Sequence, residues 1–336
     1  MIKYLFIVSA LVWALMSCSG TQKQNDTNDQ DSTLTEIERL NKAIEENPEA
    51  DSLYYNRAMY YLRKNMLDKA MTDISQAIDL NPERTENYIL LGDIYLAQGN
   101  IENSRKTLLK AFDMDPRNPD PSLKLAELNL FLEDYDKVYL YLNNALEIDE
   151  YNAQAYFMRG YAKLEQGDTT EAIYDLQEAT QLDAQYFDAF ITLGYVMEKL
   201  GDPIAGNYFK TAVSINDYSI EGHYAYGFWL QNQGDVNGAI QQYDIILNID
   251  DSHAQAWYNI GYLYLVYLED FPGAVERFDR AIQAQPNYPE AYYNRGLAYE
   301  EMKKYDKAEA DYRKALELLE NYDKAIEGLN RIEGKY

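Results

Sequence analysis

The residues whose types could do chemistry are few in this chain of 336 residues, and their spacing builds no active site. There is one cysteine, Cys18, and there are two histidines, of which His223 falls at a core position of the pattern described below and His253 in a turn. The sequence has no GxSxG, HExxH or CxxC motif and no phosphate-binding glycine loop. The segment 113–118 begins like a calcium loop but has asparagine where that loop requires glycine. We therefore predict no catalytic residue, no metal site and no cofactor, and we expect that the protein is not an enzyme.

Cys18 follows a stretch that is typical of an exported protein. Lys3 gives a short positive start, and residues 4–16 are nearly all apolar. This apolar run is shorter than the roughly 20 residues that a membrane-spanning helix needs, and it has the length of a signal-peptide core. The order Leu15-Met16-Ser17-Cys18 resembles a bacterial lipobox. The resemblance implies a lipoprotein that is cut before Cys18 and carries lipid, palmitate included, on that cysteine. An ordinary signal peptide with an incidental cysteine is the alternative.

The beginning of the chain thus divides into a lipoprotein signal peptide at 1–17 and a lipidated cysteine with a disordered tether at 18–34. Residues 19–34 are polar apart from Leu34, and sixteen such residues span about 20–24 Å as a flexible chain. Ser19 stands where an aspartate holds many Gram-negative lipoproteins in the inner membrane, and this favours the outer membrane. We expect a lipid-anchored protein of the bacterial cell envelope, on the periplasmic or the surface side.

The charge balance limits the partners. The formal net charge is −26, from 30 basic and 56 acidic residues. Nucleic-acid backbones and anionic membrane surfaces repel such a chain, so we expect no nucleic acid among its ligands. A single cysteine excludes an internal disulfide.

Small residues recur through the rest of the chain with a step near 34. Two ladders run from Ala70 to Ala308 and from Ala77 to Ala315. A third, with steps of 33 to 35 residues, consists of Ala58, Gly92, Ala126, Gly160, Gly194, Gly227, Gly261 and Gly296. A glycine inside a helix costs about 0.5–1 kcal/mol relative to alanine, so its recurrence at one phase indicates that two helices approach closely there. The period predicts an all-α solenoid of eight helical repeats.

Other phases of the pattern support this repeat. With Asp51 as position 1, position 4 is a large side chain in most units, and Gly followed by Asp or Asn marks a turn inside four of them. The pattern resembles the tetratricopeptide repeat (TPR) family over residues 35–333. The resemblance implies a right-handed superhelical solenoid with an N-terminal capping half-repeat at 35–50, eight TPR repeats at 51–322 and a C-terminal capping helix at 323–336. The fifth repeat is one residue short and the seventh one residue long, and we place both changes in the turn between paired helices.

The same resemblance implies which residues line a binding groove. In this family the first helix of each repeat turns positions 2, 5, 6, 9, 12 and 13 toward a concave surface. Positions 5 and 9 are largely aromatic here and position 2 is often acidic, so we predict an aromatic floor with an acidic edge. The predicted partner-binding residues are Tyr55, Met59, Phe157, Tyr161, Tyr195, Tyr224, Phe228, Tyr258, Tyr262, Tyr293, Glu86, Asp120, Asp188, Glu221 and Glu290. Packing within the core is the competing explanation for each tyrosine, because the chain contains 33 of them.

These features predict a non-enzymatic scaffold or adaptor, tethered to the cell envelope, that binds a partner polypeptide through the groove. Tyrosine offers a broad apolar face and a hydroxyl, which suits a protein interface, and the acidic edge suits a segment with apolar and basic residues. The partners would be envelope proteins or peptide segments. The alternatives are a fixed structural subunit of a secretion or outer-membrane assembly complex, an enzyme or small-ligand receptor, and a homodimer formed through the convex face or the C-terminal helix.

Overall fold

The computed structural model describes residues 34–335, and within that range the chain forms eighteen α-helices and no β-strand. The helices are α1 Glu36–Glu46, α2 Asp51–Arg63, α3 Leu67–Leu80, α4 Thr85–Ala97, α5 Ile101–Met114, α6 Asp120–Phe131, α7 Tyr135–Ile148, α8 Ala153–Gln166, α9 Thr169–Leu182, α10 Phe187–Lys199, α11 Ala205–Ile215, α12 Ile220–Asn232, α13 Val236–Ile249, α14 Ala254–Val266, α15 Phe271–Ala284, α16 Pro289–Glu301, α17 Tyr305–Leu318 and α18 Asp323–Ile332. Cys18, the predicted signal peptide and nearly all of the predicted tether lie outside the described residues. The prediction of an all-α repeat fold is confirmed for the described part of the chain.

The helices fall into two compact units, and each is described by itself. The first unit, which ends at Leu182, holds α1–α9, and the second, which begins at Asp183, holds α10–α18. Within each unit the most extensive contacts join two consecutive helices, such as α8 with α9 and α14 with α15. These pairs are the repeats, and we number them one to eight in chain order, from α2 with α3 to α16 with α17. Helix α1 packs on α2, and helix α18 packs on α17.

The third ladder of small residues lies where the two helices of a repeat approach closely. All eight residues of this ladder are buried. A Cβ atom placed on Gly92 would lie 2.7 Å from the Leu108 side chain, and one placed on Gly261 would lie 2.8 Å from the Phe278 ring. Both distances are shorter than van der Waals contact. The predicted close approach is therefore confirmed, and it explains why glycine recurs in the middle of these helices.

The side chain that faces this ladder differs between the two units. In the second unit each glycine meets an aromatic ring: Gly194 meets Phe209, Gly227 meets Tyr243, Gly261 meets Phe278 and Gly296 meets Tyr312. In the first unit the facing residues are aliphatic, with Leu108 against Gly92 and Leu176 against Gly160. Ala126 shares a core cluster with Leu142, and Ala58 shares one with Ile74. Alanine therefore occurs only opposite an aliphatic side chain, which occupies less space than a ring.

The turn between the paired helices contains one residue in the left-handed conformation. Four repeats use glycine, at Gly99, Gly167, Gly201 and Gly234, with φ between 73° and 90°. The other four place Asn65, Glu133, Glu269 and Lys303 in the same conformation, with φ between 51° and 60°. Glycine adopts this conformation without penalty, whereas other residues lose roughly 1–2 kcal/mol. The Gly-Asp and Gly-Asn pairs are turns as predicted, and the remaining repeats form the same turn with residues that favour it less.

The two changes in repeat length also fall near this turn. In the fifth repeat the second helix, α11, begins only at Ala205, and its first turn is closed by short bonds in which the amides of Ala205 and Asn207 donate to the carbonyls of Asp202 and Ile204. In the seventh repeat, four residues, 267–270, separate α14 from α15.

In three repeats the two helices are joined by an ion pair between an arginine and a buried aspartate, which we call the clamp. Arg57, Arg159 and Arg295, at position 7 of the first helix, each make two hydrogen bonds to an aspartate sixteen residues later. The aspartates, all buried, are Asp73, Asp175 and Asp311. In the fourth repeat the Arg159 Nε and terminal nitrogen atoms lie 2.9 and 2.7 Å from the Asp175 oxygens, and Lys163 adds a third contact at 2.9 Å. Each clamp joins the first helix of a repeat to the second.

Candidate functional site

The predicted groove residues lie on the first helix of each repeat, on one face that we call the groove face. The ten aromatic or apolar members all keep some exposed surface. Nine are half-buried, and Phe228 is 40% exposed. The helix period places positions 5 and 9 one turn apart on the same side of the helix. The groove face therefore presents side chains that pack on one side and remain accessible on the other.

In the first unit the groove face neutralises much of its own charge. The Arg84 guanidinium lies 4.8 Å from the centre of the Tyr55 ring, a cation–π contact. Arg84 also pairs with Asp51 at 3.0 Å and with Glu86 at 3.4 Å. Burial raises the pKa of Tyr55, which is consistent with a ring covered by its neighbours. The predicted acidic residue Glu86 thus already has a basic partner within the chain.

Lys124 joins two buried carboxylates on adjacent repeats of the first unit. Its Nζ lies 3.3 Å from an Asp93 oxygen and 3.0 Å from a Glu127 oxygen. Burial raises the pKa of Asp93 to about 6, although Lys124 opposes the shift. Burial works against the charge on Lys124, but Asp93 and Glu127 together raise its pKa. This cluster was absent from the predicted site, although a lysine at position 6 beside acids at position 9 of two neighbouring repeats is a sequence signal for it.

At the end of the first unit, the predicted rings Phe157 and Tyr161 lie together on α8. Their centres are 6.4 Å apart. Burial raises the pKa of Tyr161 to about 12, with Glu165 and Tyr135 adding to the shift. Asp120, predicted on the acidic edge, has its pKa raised by burial and by Glu86.

In the second unit Tyr224 is the centre of an aromatic group. It stacks on Phe228 with the ring planes 3° apart and the centres 6.5 Å apart. It also contacts the buried Tyr243 ring at 6.0 Å and His253 at 6.4 Å. His253 has a structural task as well, because its Nδ1 accepts a hydrogen bond from the Ala256 amide and caps α14.

Tyr258 and Tyr293 pack in the same way in the next two repeats. Tyr258 lies 4.9 Å from Tyr288 and 5.8 Å from Phe278, and its hydroxyl accepts a hydrogen bond of 2.9 Å from the Asn294 amide. Burial, with a contribution from Glu290, raises the pKa of Tyr258 to about 12. Tyr293 lies 5.4 Å from Tyr322. These tyrosines thus pack against buried rings, as the core explanation expects, and each keeps part of its surface exposed on the groove face. Their contact with a partner stays a prediction.

The side chains that lie against the position-5 rings were not among the residues predicted from the sequence. Arg84, His253, Tyr288 and Tyr322 are the last residues of their repeats, and each lies against the position-5 ring of the same repeat. Each also stands directly before the next helix, at its N-cap. The recurrence of large or basic residues at this phase was the available signal. These residues widen the aromatic surface beyond the first helices.

The acidic edge of the second unit is unpaired. Within residues 183–335, Asp188, Glu221 and Glu290 take part in no ion pair. Burial raises the pKa of Asp188, and burial and the neighbouring Asp188 raise the pKa of Glu221. Close to these groups, burial and the charge of Glu221 also raise the pKa of Tyr195. The second unit therefore holds uncompensated negative charge beside aromatic rings. In the first unit Glu86 is paired with Arg84, while Asp120 takes part in no ion pair within residues 34–182.

Within residues 34–335, the buried histidine and the acidic residues are the other groups that could form a site. His223 is buried, with its ring nitrogens 2.8 Å from the Gln242 side-chain oxygen and 3.0 Å from the Asp217 carbonyl, as expected for a packed residue. That part of the chain contains no group of three residues able to hold a metal ion. None of its helices is long and apolar enough to cross a membrane.

Comparisons with known proteins identify the repeats. The tetratricopeptide repeat family model matches residues 289–322, and a TPR repeat model matches residues 160–201 and 265–303. The chain carries tetratricopeptide repeats. The model of the CadC C-terminal domain matches residues 3–145, a stretch that overlaps neither TPR match. No curated protein matches the chain at a significant level.

Solved structures resemble the TPR chain over long stretches. PilF of Pseudomonas aeruginosa is 25% identical, with a TM-score of 0.52 over 66% of this chain and 96% of PilF. The C-terminal part of a TPR repeat-containing protein from Cytophaga hutchinsonii is 16% identical, with a TM-score of 0.60 over 71% of this chain and 98% of its own length. A chain of the APC/C hetero-tetramer Cut9–Hcn1 is 17% identical, with a TM-score of 0.52 over 98% of this chain and 63% of that one. The last two likenesses concern the fold alone.

Proposed function

We propose that this TPR protein is a non-enzymatic scaffold that binds a partner polypeptide on the groove face of its second unit and is held at the bacterial envelope by lipid on Cys18. The observation that supports binding most directly is the row of half-exposed rings beside unpaired carboxylates. Exposed aromatic side chains that are already held in place by their neighbours lose little conformational freedom when a partner covers them. TPR repeats are protein-interaction folds, which agrees with a polypeptide partner.

The anchor is proposed from the sequence around Cys18. The apolar run, the small residue before the cysteine and the absence of any other cysteine support a lipoprotein. Ser19 favours the outer membrane. The partners are then envelope proteins, gathered either transiently, as by an adaptor, or permanently, as by a subunit of a secretion or outer-membrane assembly complex.

The binding claim is tested by crosslinked capture from envelopes with a variant that removes groove rings without emptying the core. Phe228→Ala with Tyr262→Ala suits this purpose, because the contacts of Tyr258 and Tyr293 with buried rings make their loss structural. The matched control is Tyr174→Ala, since Tyr174 is 61% exposed on α9, which is the second helix of its repeat and carries no groove residue. We expect a partner that the double variant loses and the control keeps. A partner retained by the folded double variant would overturn the proposed binding surface.

The anchor is tested separately. Metabolic labelling with an alkyne analogue of palmitate should mark the parent chain, and Cys18→Ala should abolish both the label and co-sedimentation with membranes. A parent chain that remains unlabelled, or a labelled Cys18→Ala variant, would contradict the lipidation of Cys18.

A further inference from the structure

One helix of the second unit, α14, carries a row of apolar side chains along its groove face, beside the polar Gln255 and Asn259. Tyr258, Tyr262 and Val266 follow one another at four-residue steps, and Val266 is 46% exposed. The other groove helices of this unit end in exposed polar residues at the place of Val266, namely Lys199, Asn232 and Glu301. A solvent-exposed valine at the end of an aromatic row is therefore particular to the seventh repeat.

The longer turn of this repeat extends the row. Tyr267 and Leu268, which directly follow α14, are 47% and 45% exposed. The Tyr267 ring meets the Tyr262 ring edge-on, with the centres 6.4 Å apart, so the turn is continuous with the floor of the groove face. The Leu268 amide donates to the Leu263 carbonyl at 3.1 Å, which holds the turn against the helix. We call Val266, Tyr267 and Leu268 the apolar rim. Adjacent exposed apolar side chains of this kind mark contact surfaces.

The opposite end of the same surface is acidic. Glu221 on α12 and Glu290 on α16, the helices on either side of α14 in the repeat order, both stand at position 2, close to the start of the helix. Neither carboxylate is in an ion pair within residues 183–335. Glu290 contributes to the raised pKa values of Tyr258 and Tyr322, which places its charge beside these rings. The surface over repeats six to eight thus runs from unpaired negative charge, across tyrosines, to the apolar rim.

The spacing along α14 matches an extended peptide. A helix rises about 1.5 Å per residue, so successive members of the row are about 6 Å apart along the axis. Alternate residues of an extended chain are about 6.6 Å apart and point to the same side. An extended segment laid along α14 therefore places every second side chain on the next member of the row. The distance along the helix axis from position 2 to the rim is roughly 15–20 Å, which an extended chain covers in about five or six residues.

We propose that repeats six to eight bind an extended segment of a partner protein that carries arginine or lysine at one end and large apolar side chains about five residues away. One basic side chain lies beside Glu290 and a second beside Glu221, and the apolar side chains cover the rim. Charge complementarity identifies the occupant, because Glu221 and Glu290 are in no ion pair within residues 183–335 and lie beside tyrosine rings. The proposal rests on the proposed function and adds the chemistry and the polarity of the bound segment.

The test uses fluorescein-labelled twelve-residue peptides in a Gly-Ser background, with two arginines and a Leu-x-Leu group separated by one to seven residues. Binding to the full-length chain in detergent is measured by fluorescence anisotropy. We expect the tightest binding when the two groups are about five residues apart. Glu221→Gln with Glu290→Gln should weaken that peptide about three- to tenfold and reduce its salt dependence, as expected for two lost charge contacts. Val266→Ser with Leu268→Ser should remove the advantage of leucine over serine in the peptide. Tyr174→Ser, on a second helix, should change neither the affinity nor this advantage.

The outcomes separate this inference from the proposed function. Equal binding at every separation, or variants that bind as tightly as the parent, would overturn the segment proposed here. If the envelope partner is then still lost with Phe228→Ala and Tyr262→Ala, the groove face remains the binding surface. If sedimentation shows a homodimer that Val266→Ser with Leu268→Ser dissociates, the rim is covered by a second copy of the chain, and the inference is also overturned.

Discussion

Gly261 and Phe278 provide a direct test of the packing rule that relates the repeats. A Cβ atom on Gly261 would lie 2.8, 2.9 and 3.1 Å from three atoms of the Phe278 ring, which is fully buried. Gly261→Ala must therefore push the ring or the helix by about half an ångström. Overpacking of this kind costs about 1–3 kcal/mol, against which alanine recovers up to about 1 kcal/mol of helix propensity. We expect a net loss of about 1–2 kcal/mol in the free energy of unfolding.

The second half of this prediction is a rescue. Phe278→Leu alone should cost about 1–2 kcal/mol through the space it leaves. In the double variant the added methyl group fills part of that space, as in the third repeat, where Ala126 shares its cluster with Leu142. The double variant should therefore be more stable than the sum of the single losses predicts, by about 1 kcal/mol or more.

The assay is urea unfolding of the 35–336 fragment followed by tryptophan fluorescence. The fragment contains only Trp229 and Trp257, both in the second unit, so the signal reports on the relevant repeats even if the units unfold separately. Gly261→Ala that is as stable as the parent would refute the cost of close approach. Strictly additive losses in the double variant would refute the pairing of small residue and ring.

Three further predictions concern the first unit. Asp175→Ala should cost about 3–5 kcal/mol in thermal or urea unfolding because it leaves Arg159 and Lys163 without their shared buried partner, and a loss under 1 kcal/mol would show that the clamp is dispensable. Glu133→Gly should stabilise the chain by about 1 kcal/mol, since glycine adopts φ of 56° freely, and a lower melting temperature would contradict this. Burial raises the pKa of Asp93 to about 6, above the value of about 3.9 for an unfolded chain, so its contribution is most favourable below pH 4 and is lost as the pH rises to 6. Asp93→Asn should therefore stabilise the chain by about 1–3 kcal/mol at pH 7 and little at pH 4; an asparagine variant that is less stable at pH 7 would show that the pairing with Lys124 outweighs the burial of charge.

The repeat could be predicted from the sequence because the same close contact between two helices recurs in every unit. The recurrence of Gly160, Gly194, Gly227 and Gly261 at one phase reports a contact that any two helices of this geometry must make. The glycine turns were readable for the same reason. The turns at Glu133 and Lys303 could not be predicted from the sequence, since these residues have no preference for the left-handed conformation. They adopt it only because the helices on either side fix the turn.

The site was less predictable because its residues act across repeat boundaries. Positions 5 and 9 followed from the family resemblance, but the covering role of Tyr288 and Tyr322 depends on how the chain enters the next helix. Lys124 pairs with Asp93 of the preceding repeat, a contact that a position-by-position reading does not bring together. The inserted residue of the seventh repeat was placed in the turn, but the repeat pattern did not reveal that Tyr267 and Leu268 of this turn are exposed beside Tyr262.

Site-specific photocrosslinking in intact envelopes tests the central claim most directly. A photoreactive phenylalanine analogue is placed at position 228 on the groove face and, as a control, at the exposed position 174 on the second helix of the fourth repeat. We expect position 228 to crosslink to a distinct polypeptide and position 174 not to do so. Crosslinks to that polypeptide from position 174 but not from 228 would contradict binding on the groove face.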